Sequence, residues 1–153
     1  MDRLIHILFE KIVANSVKVL CAVLVATILL QIAARFFMSH PFSWTEEFSR
    51  LTFIWFCMLS STITLKRNLH IGIDYIYRKV SSGIKKILDL SIYSFILLFG
   101  LILVVYGVRL IGIVSGQKTE ILRWPLAIYY SSIPLSGVLY VIFSFHRFLA
   151  IIL

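Results

Sequence analysis

The chain has 153 residues, of which 60% are hydrophobic and 14% are charged, and its formal net charge is +8. A soluble domain is usually about 45–50% apolar and about 25% charged, so this composition excludes an ordinary soluble domain and indicates a bilayer as solvent. The basic residues stand between apolar stretches, as loops flanking membrane spans do, and this pattern argues against a nucleic-acid partner.

Four apolar stretches are long enough to cross a hydrocarbon layer of about 30 Å, which takes about 20 helical residues. They predict an all-α integral membrane protein with spans over residues 17–38, 44–65, 87–108 and 124–145, forming a single membrane domain over residues 1–153. Ahead of the first span, residues 3–18 predict an amphipathic helix in the membrane interface, with an apolar face formed by Leu4, Ile5, Leu8, Ile12 and Val13. The alternative for this segment is a cytosolic extension of the first span.

The basic residues also predict the orientation of the chain. Ten of them lie in the N-terminal segment, the loop between spans two and three, and the tail, whereas five lie on the opposite side. Because cytoplasmic loops carry the excess of Lys and Arg, both termini are expected to face the cytoplasm. No charged residue stands at a predicted bilayer centre, where it would cost at least ~2.5 kcal/mol, so we expect no ion path within this chain alone.

Two adjacent acids open the second span. The stretch Ser43-Trp-Thr-Glu46 fits a capping box, and Arg50 is within ion-pair reach of Glu46 and Glu47 on a helix. This interpretation accounts for both acids without a ligand. The alternative is a cation site or an acid/base pair next to the loop.

Several residues within the spans are candidates for a partner interface. Trp55 falls in the middle of a span, and a buried indole N–H needs an acceptor, so its side chain is expected to face protein rather than lipid. Small residues permit close helix packing, either within the chain or with a partner. The small candidates are Ser60, Ser61, Gly100 and Gly107.

The histidines and cysteines of this chain do not stand at the positions that membrane haem proteins and disulfide-generating enzymes require. A membrane haem site needs histidines within the bilayer, but all four histidines lie at span ends or in loops. Cys21 and Cys57 do not form the outward-facing pairs that a disulfide-generating enzyme needs. We therefore expect no enzyme, no catalytic residue, no cofactor and no metal.

An ordered set of residues between positions 31 and 74, with a shorter set before the fourth span, carries a family resemblance. The chain resembles the small membrane subunit of tripartite ATP-independent periplasmic (TRAP) transporters, the DctQ-like family. The chain departs from the family where Gly or Ala is frequent in span two, since Ser60, Ser61 and Thr62 stand there. The matching positions are Gln31, Arg35, Trp44, Glu46, Glu47, Arg50, Trp55, Arg67, His70 and Asp74, followed by Leu122, Pro125, Tyr129 and Pro134.

The resemblance implies a scaffold subunit in the bacterial inner membrane. Its partners would be membrane lipids, a large multi-helix subunit that binds substrate and sodium and moves as an elevator, and a periplasmic substrate-binding protein. The imported solute would be an organic acid of the C4-dicarboxylate or sialic acid type. Arg35, Glu46, Glu47 and Arg50 would fix the outer end of the subunit. Arg67, His70 and Asp74 would fix the inner end at the headgroups.

Two other hypotheses remain open at this point. The first is a stand-alone transporter or channel built from several copies of this chain, which predicts transport without a partner. The second is a membrane enzyme with an unrecognised site, which the missing residue types disfavour.

Overall fold

The computed structural model describes residues 7–37, 42–66 and 82–152. A π-helical segment, Ile7–Val13, leads into α1 (Ala14–Phe37). The second span is α2 (Ser43–Lys66), and the third is α3 (Ser82–Val114). A short helix, α4 (Leu126–Tyr130), precedes the last span, α5 (Ser132–Ile152).

The predicted all-α fold with four spans is confirmed. The four helical stretches Ile7–Phe37, Ser43–Lys66, Gly83–Val114 and Leu126–Ile151 are each long and apolar enough to cross a membrane. The third is longer than expected, because α3 has 33 residues and rises about 50 Å at 1.5 Å per residue. Hydropathy locates only the part of a helix that lies within hydrocarbon of about 30 Å, so α3 must tilt or extend beyond it.

The N-terminal segment differs from the predicted amphipathic helix. Residues 3–6 lie outside the described residues, and Ile7–Val13 continues into α1 without a break. Of the predicted apolar face, Val13 is buried and Leu8 is half-buried, whereas Ile12 is 57% exposed; Phe9, which the prediction left off that face, is buried. A π-helix has wider turns than an α-helix, so the face that packs against protein coincides only in part with the one that an α-helical period predicts. Its location in the membrane interface remains a prediction.

The spans pack in the spatial order α1, α2, α5, α3. Helix α1 packs on α2, α2 packs on α5, and α3 packs extensively on α5. The last span in the sequence therefore lies between the second and the third. Its buried side chains join those of α2, α3 and the π-helical segment in one core, formed by Phe9, Val13, Leu59, Leu65, Tyr93, Leu139 and Phe143.

The contact between α3 and α5 depends on glycines. A Cβ on Gly137 would lie 2.9 Å from the Gly100 carbonyl oxygen and 2.9 Å from the Val104 nitrogen. A Cβ on Gly107 would lie 2.7 Å from Cδ of Pro134. Gly100 and Gly107 were candidates for an interface with a partner. In the structure, they instead permit the close approach of α3 and α5 within the chain.

Proline interrupts the last span near its start. Pro134 has no N–H and cannot donate to the carbonyl of Tyr130 four residues earlier, so α4 ends at Tyr130 and α5 begins at Ser132. The hydroxyl of Ser131 donates to the Ile128 carbonyl at 2.8 Å, and the hydroxyl of Ser132 donates to the Tyr129 carbonyl at 3.0 Å. The break leaves carbonyl groups of α4 accessible to side chains of α2.

Candidate functional site

The first turn of α2 carries the two adjacent acids. The helix begins at Ser43 itself, and the Thr45 hydroxyl donates to the Phe42 carbonyl at 2.6 Å. The predicted capping box is therefore wrong, because it requires Ser43 to stand before the helix. The predicted ion pair between Arg50 and Glu46 is present at 3.0 Å, with side chains 65% and 68% exposed.

Glu47 has a different role from Glu46. Its Oε1 accepts a hydrogen bond from the Ile121 backbone N–H at 2.9 Å, and its Oε2 accepts one from the Leu122 backbone N–H at 2.8 Å. The Tyr129 hydroxyl donates to the Glu47 backbone carbonyl at 3.0 Å. One residue of α2 thus holds both the loop between α3 and α4 and α4 itself. We call Glu47, Ile121, Leu122 and Tyr129 the Glu47 cluster.

The loop between α3 and α4 presents backbone N–H groups to the Glu47 carboxylate. The Thr119 N–H donates to the Trp124 carbonyl at 2.9 Å, and the Trp124 N–H donates to the Thr119 hydroxyl at 3.1 Å. Arg123 adopts a left-handed backbone conformation with φ of 55°, which is uncommon outside glycine. The resulting turn directs successive N–H groups to one point, an arrangement that binds anions. Because N–H dipoles point at both carboxylate oxygens, this geometry disfavours a cation on Glu47.

Trp55 forms a second link from α2, to the short helix α4. Its indole Nε1 donates to the Ile128 carbonyl at 3.0 Å, next to the break between α4 and α5. The side chain is partly buried against the core. The sequence predicted that the Trp55 indole N–H has a protein acceptor, and that acceptor lies in the same chain. This hydrogen bond therefore gives no reason to place a second protein beside Trp55.

A second cluster lies at the opposite end of α2. Lys66 forms an ion pair with Glu10 at 3.1 Å, with side chains 16% and 30% exposed, and its ammonium lies 5.9 Å from the centre of the Phe9 ring. The Phe9 ring packs against Phe143 at 5.7 Å between centroids, and the Tyr93 ring packs against Phe143 at 6.3 Å. We call these five residues the Phe9 cluster. The sequence interpretation missed it, and the only available signal was the opposite charge of Glu10 and Lys66 at neighbouring helix ends.

The remaining predicted residues are dispersed. Gln31 is half-buried and Arg35 is exposed near the end of α1, while the Trp44 ring packs against Phe48 at 6.4 Å. In the part of the chain that the structure describes, the Ser60 hydroxyl is buried without a hydrogen-bond partner, and the Ser61 hydroxyl donates to the Met58 carbonyl at 2.7 Å. The predicted inner set of Arg67, His70 and Asp74 lies outside the described residues.

Comparison with known proteins identifies the family. The model of a family described as "Tripartite ATP-independent periplasmic transporters, DctQ component" matches residues 24–153. The chain belongs to this family. The TRAP resemblance that the sequence carries is thereby confirmed, and with four apolar helices the DctQ chain is a multi-pass protein of the bacterial inner membrane.

A named relative gives a narrower similarity. The DctQ chain is 30% identical, over 89 residues, to the sialic acid TRAP transporter small permease protein SiaQ of Vibrio cholerae serotype O1. The match covers 56% of this chain and 51% of the relative, so the chain spans about half the length of the relative it matches.

Proposed function

We propose that this DctQ chain is the static scaffold subunit of a sodium-coupled, binding-protein-dependent transporter that imports an organic acid. The observation that carries the proposal is the family match over residues 24–153, which includes the whole of α2, α3 and α5. The partners in this proposal are a large multi-helix subunit, a periplasmic substrate-binding protein and membrane lipids.

The exposed surface of the spans supports a subunit that joins another membrane protein. Helix α3 buries little of its surface within the chain, since only 11% of its most apolar window is buried. Large apolar side chains on the face away from α5 are exposed, among them Leu98, Ile102 and Val105. Between helices in lipid, association depends on packing rather than on exclusion of water, so such a face suits a partner helix or lipid.

The orientation in this proposal has both termini in the cytoplasm. This orientation is inferred from the excess of basic residues at one side of the membrane, the side where Lys66, Lys85 and Arg147 lie. The Glu47 cluster would then face the periplasm, where it holds the loop that precedes α4. The Phe9 cluster would lie at the cytoplasmic side.

The substrate class in this proposal is an organic acid of the C4-dicarboxylate or sialic acid type. The relative from Vibrio cholerae is named for sialic acid, and this name supports a test of sialic acid first. Both hydrogen-bonding oxygens of Glu47 are occupied by backbone N–H groups, so we assign substrate and sodium binding to the large subunit.

Purification of the tagged chain from its native membrane in nanodiscs tests the scaffold role. We expect one large polytopic protein to co-purify at a fixed ratio, and we expect sodium-driven uptake of the organic acid only when this protein and the binding protein are added to the reconstituted chain. Transport by vesicles that contain this chain alone would contradict the proposal and favour a homo-oligomeric transporter or channel.

A further inference from the structure

A groove opens to the membrane between α2 and α3. Both helices pack on α5 but on different sides of it, and the space that they leave has a volume of about 520 Å³. Its floor is formed by α5 and its walls by α2 and α3. The lining includes Ser61, Thr64 and Leu65 of α2, Phe95 and Phe99 of α3, and Tyr140 of α5.

The chemistry of the groove suits a hydrocarbon occupant. The hydroxyls of Ser61 and Thr64 donate to backbone carbonyls of their own helix, at 2.7 Å and 3.0 Å, so they require no polar ligand. The Phe95 and Phe99 side chains are exposed, and the Phe99 ring packs against the Tyr140 ring at 5.9 Å. The walls therefore present mainly aromatic rings and aliphatic groups to the occupant.

The size of the groove favours an acyl chain over a helix. An α-helix with side chains is about 10 Å across, so two turns of it occupy about 850 Å³. A helix therefore seats only part of its surface in the open groove of about 520 Å³ between α2 and α3. A single hydrocarbon chain is narrower and can follow the groove along its length.

Two cations stand at one end of the groove. Helices α3 and α5 are antiparallel, since Gly100 lies against Gly137 and Gly107 lies against Pro134. Residues early in α3 and late in α5 therefore share an end. Lys85 and Arg147 are the cations on the corresponding helix faces.

The helical spacing aligns both cations with the groove. Lys85 precedes Ile96 and Phe99 by eleven and fourteen residues, so it lies within about 40° of both around α3, and it is about 15 Å from Phe95 along the helix axis. This distance is about half of the ~30 Å hydrocarbon layer, the depth of one leaflet. Arg147 follows Tyr140 by seven residues, about two turns, on one face of α5.

The described cations at this end of α3 and α5 outnumber the acids. Lys85, Lys86 and Arg147 stand there with one described acid, Asp89, which lies one helical turn after Lys85 and within ion-pair reach of it. This end of the two helices therefore keeps an excess of positive charge. The Arg147 guanidinium lies 5.7 Å from the centre of the Phe143 ring, which is buried in the core one turn earlier on the same helix. Basic pockets between transmembrane helices are a recognised site for anionic lipid headgroups.

We propose that the groove between α2 and α3 binds one acyl chain of an anionic phospholipid, whose phosphate is held by Lys85 and Arg147. On the proposed orientation the lipid belongs to the cytoplasmic leaflet. The lipid would join α2 to α3, two spans that otherwise meet through α5, and so complete the surface of the subunit.

Native mass spectrometry of the full-length chain tests this site. The protein is delipidated in gentle detergent and titrated with phosphatidylglycerol or phosphatidylcholine carrying the same acyl chains. We expect the wild-type chain to retain phosphatidylglycerol with at least about tenfold preference, which corresponds to 1.4 kcal/mol. The substitution Lys85→Gln should remove most of the preference, and Lys85→Gln with Arg147→Gln should abolish it.

Two further variants separate the groove from general surface charge. Thr64→Trp fills the groove and should lower retention of both lipids. Lys18→Gln removes an exposed cation of α1 away from the groove, near the same end, and should leave the preference unchanged. Equal retention of the two lipids by the wild-type chain, or equal losses in Lys18→Gln and Lys85→Gln, would overturn the proposal.

Photo-crosslinking in the purified transporter complex distinguishes lipid from protein in the groove. A benzoylphenylalanine at position 95 should crosslink to phospholipid. A crosslink to a helix of the large subunit, or to a second copy of this chain, would overturn the lipid site while leaving the scaffold proposal intact. Failure of the large subunit to co-purify would instead count against the scaffold proposal alone, because lipid retention is measured on the isolated chain.

Discussion

Oε2 of Glu47 lies 2.8 Å from the backbone nitrogen of Leu122, although 75 positions separate the two residues. Glu46, its neighbour, pairs with Arg50 on the exposed surface of the same helix. Two adjacent carboxylates therefore perform different tasks. Glu47 fixes a loop, whereas Glu46 belongs to a solvated ion pair whose contribution to stability is less than about 1 kcal/mol.

Replacement of Glu47 by Gln should loosen the loop. The Gln amide has one carbonyl oxygen and one NH2 group, so it cannot accept from both backbone N–H groups, and the NH2 would face a second donor. We expect faster hydrogen exchange at the amides of Ile121 and Leu122 and reduced assembly or uptake. The matched control is Glu46→Gln, in which both amides should exchange as in the wild type. Unchanged exchange in Glu47→Gln would show that the loop holds its shape without the carboxylate.

The indole of Trp55 should contribute measurably to stability. Trp55→Phe keeps a ring in place but removes the N–H that donates to Ile128, so we expect a loss of about 0.5–1.5 kcal/mol in the free energy of unfolding. Reversible unfolding in mixed micelles measures it. Trp44→Phe, at an exposed position in the same helix, is the control and should change stability by less than about 0.5 kcal/mol. Equal effects of the two variants would exclude a specific role for the hydrogen bond.

A methyl group at the contact between α3 and α5 should separate the two helices. In Gly137→Ala the new Cβ would lie 2.9 Å from backbone atoms of α3, and we expect a destabilisation of about 1–3 kcal/mol by the same unfolding measurement. Gly112→Ala is the control, since nothing lies within 4 Å of its added Cβ and alanine favours a helix by up to about 1 kcal/mol. A neutral Gly137→Ala would mean that the helices can move apart at little cost.

The ion pair between Glu10 and Lys66 should couple the N-terminal segment to α2. Both side chains are partly shielded from solvent, and the pair joins residues of different helices. A double-mutant cycle with Glu10→Gln and Lys66→Gln should give a coupling energy of about 1 kcal/mol. Either single substitution should also increase proteolysis of the N-terminal segment. Strict additivity of the two substitutions would argue that each residue acts independently.

Sequence reasoning found the features that depend on composition and on short spacing. Hydropathy located all four spans, because the bilayer imposes a length that a single sequence reveals. The Glu46–Arg50 pair was found because residues four apart share a helix face. The requirement of the Trp55 indole for an acceptor followed from its chemistry alone.

The features that were missed depend on chain topology. Glu47 meets Leu122, and Trp55 meets Ile128, only because the last span lies next to α2, and no local spacing encodes that arrangement. Phe9 was missed because the segment around it is a π-helix, whereas the sequence was interpreted with an α-helical period. Helix α3 extends past its predicted ends because nothing in hydropathy marks where a helix stops outside the hydrocarbon.

The central place of the last span has a consequence for biosynthesis. Helices α2 and α3 leave the ribosome before α5, and the described contacts that join them run mainly through α5. Until translation of α5 is complete, the Gly100 and Gly107 surface of α3 has no partner within the described part of the chain, whereas the acceptor of the Trp55 indole, Ile128, already stands in α4. Helices α1 and α2 pack directly on each other, so the nascent subunit forms this pair first, and α3 joins it only when the final helix is inserted between the second and the third.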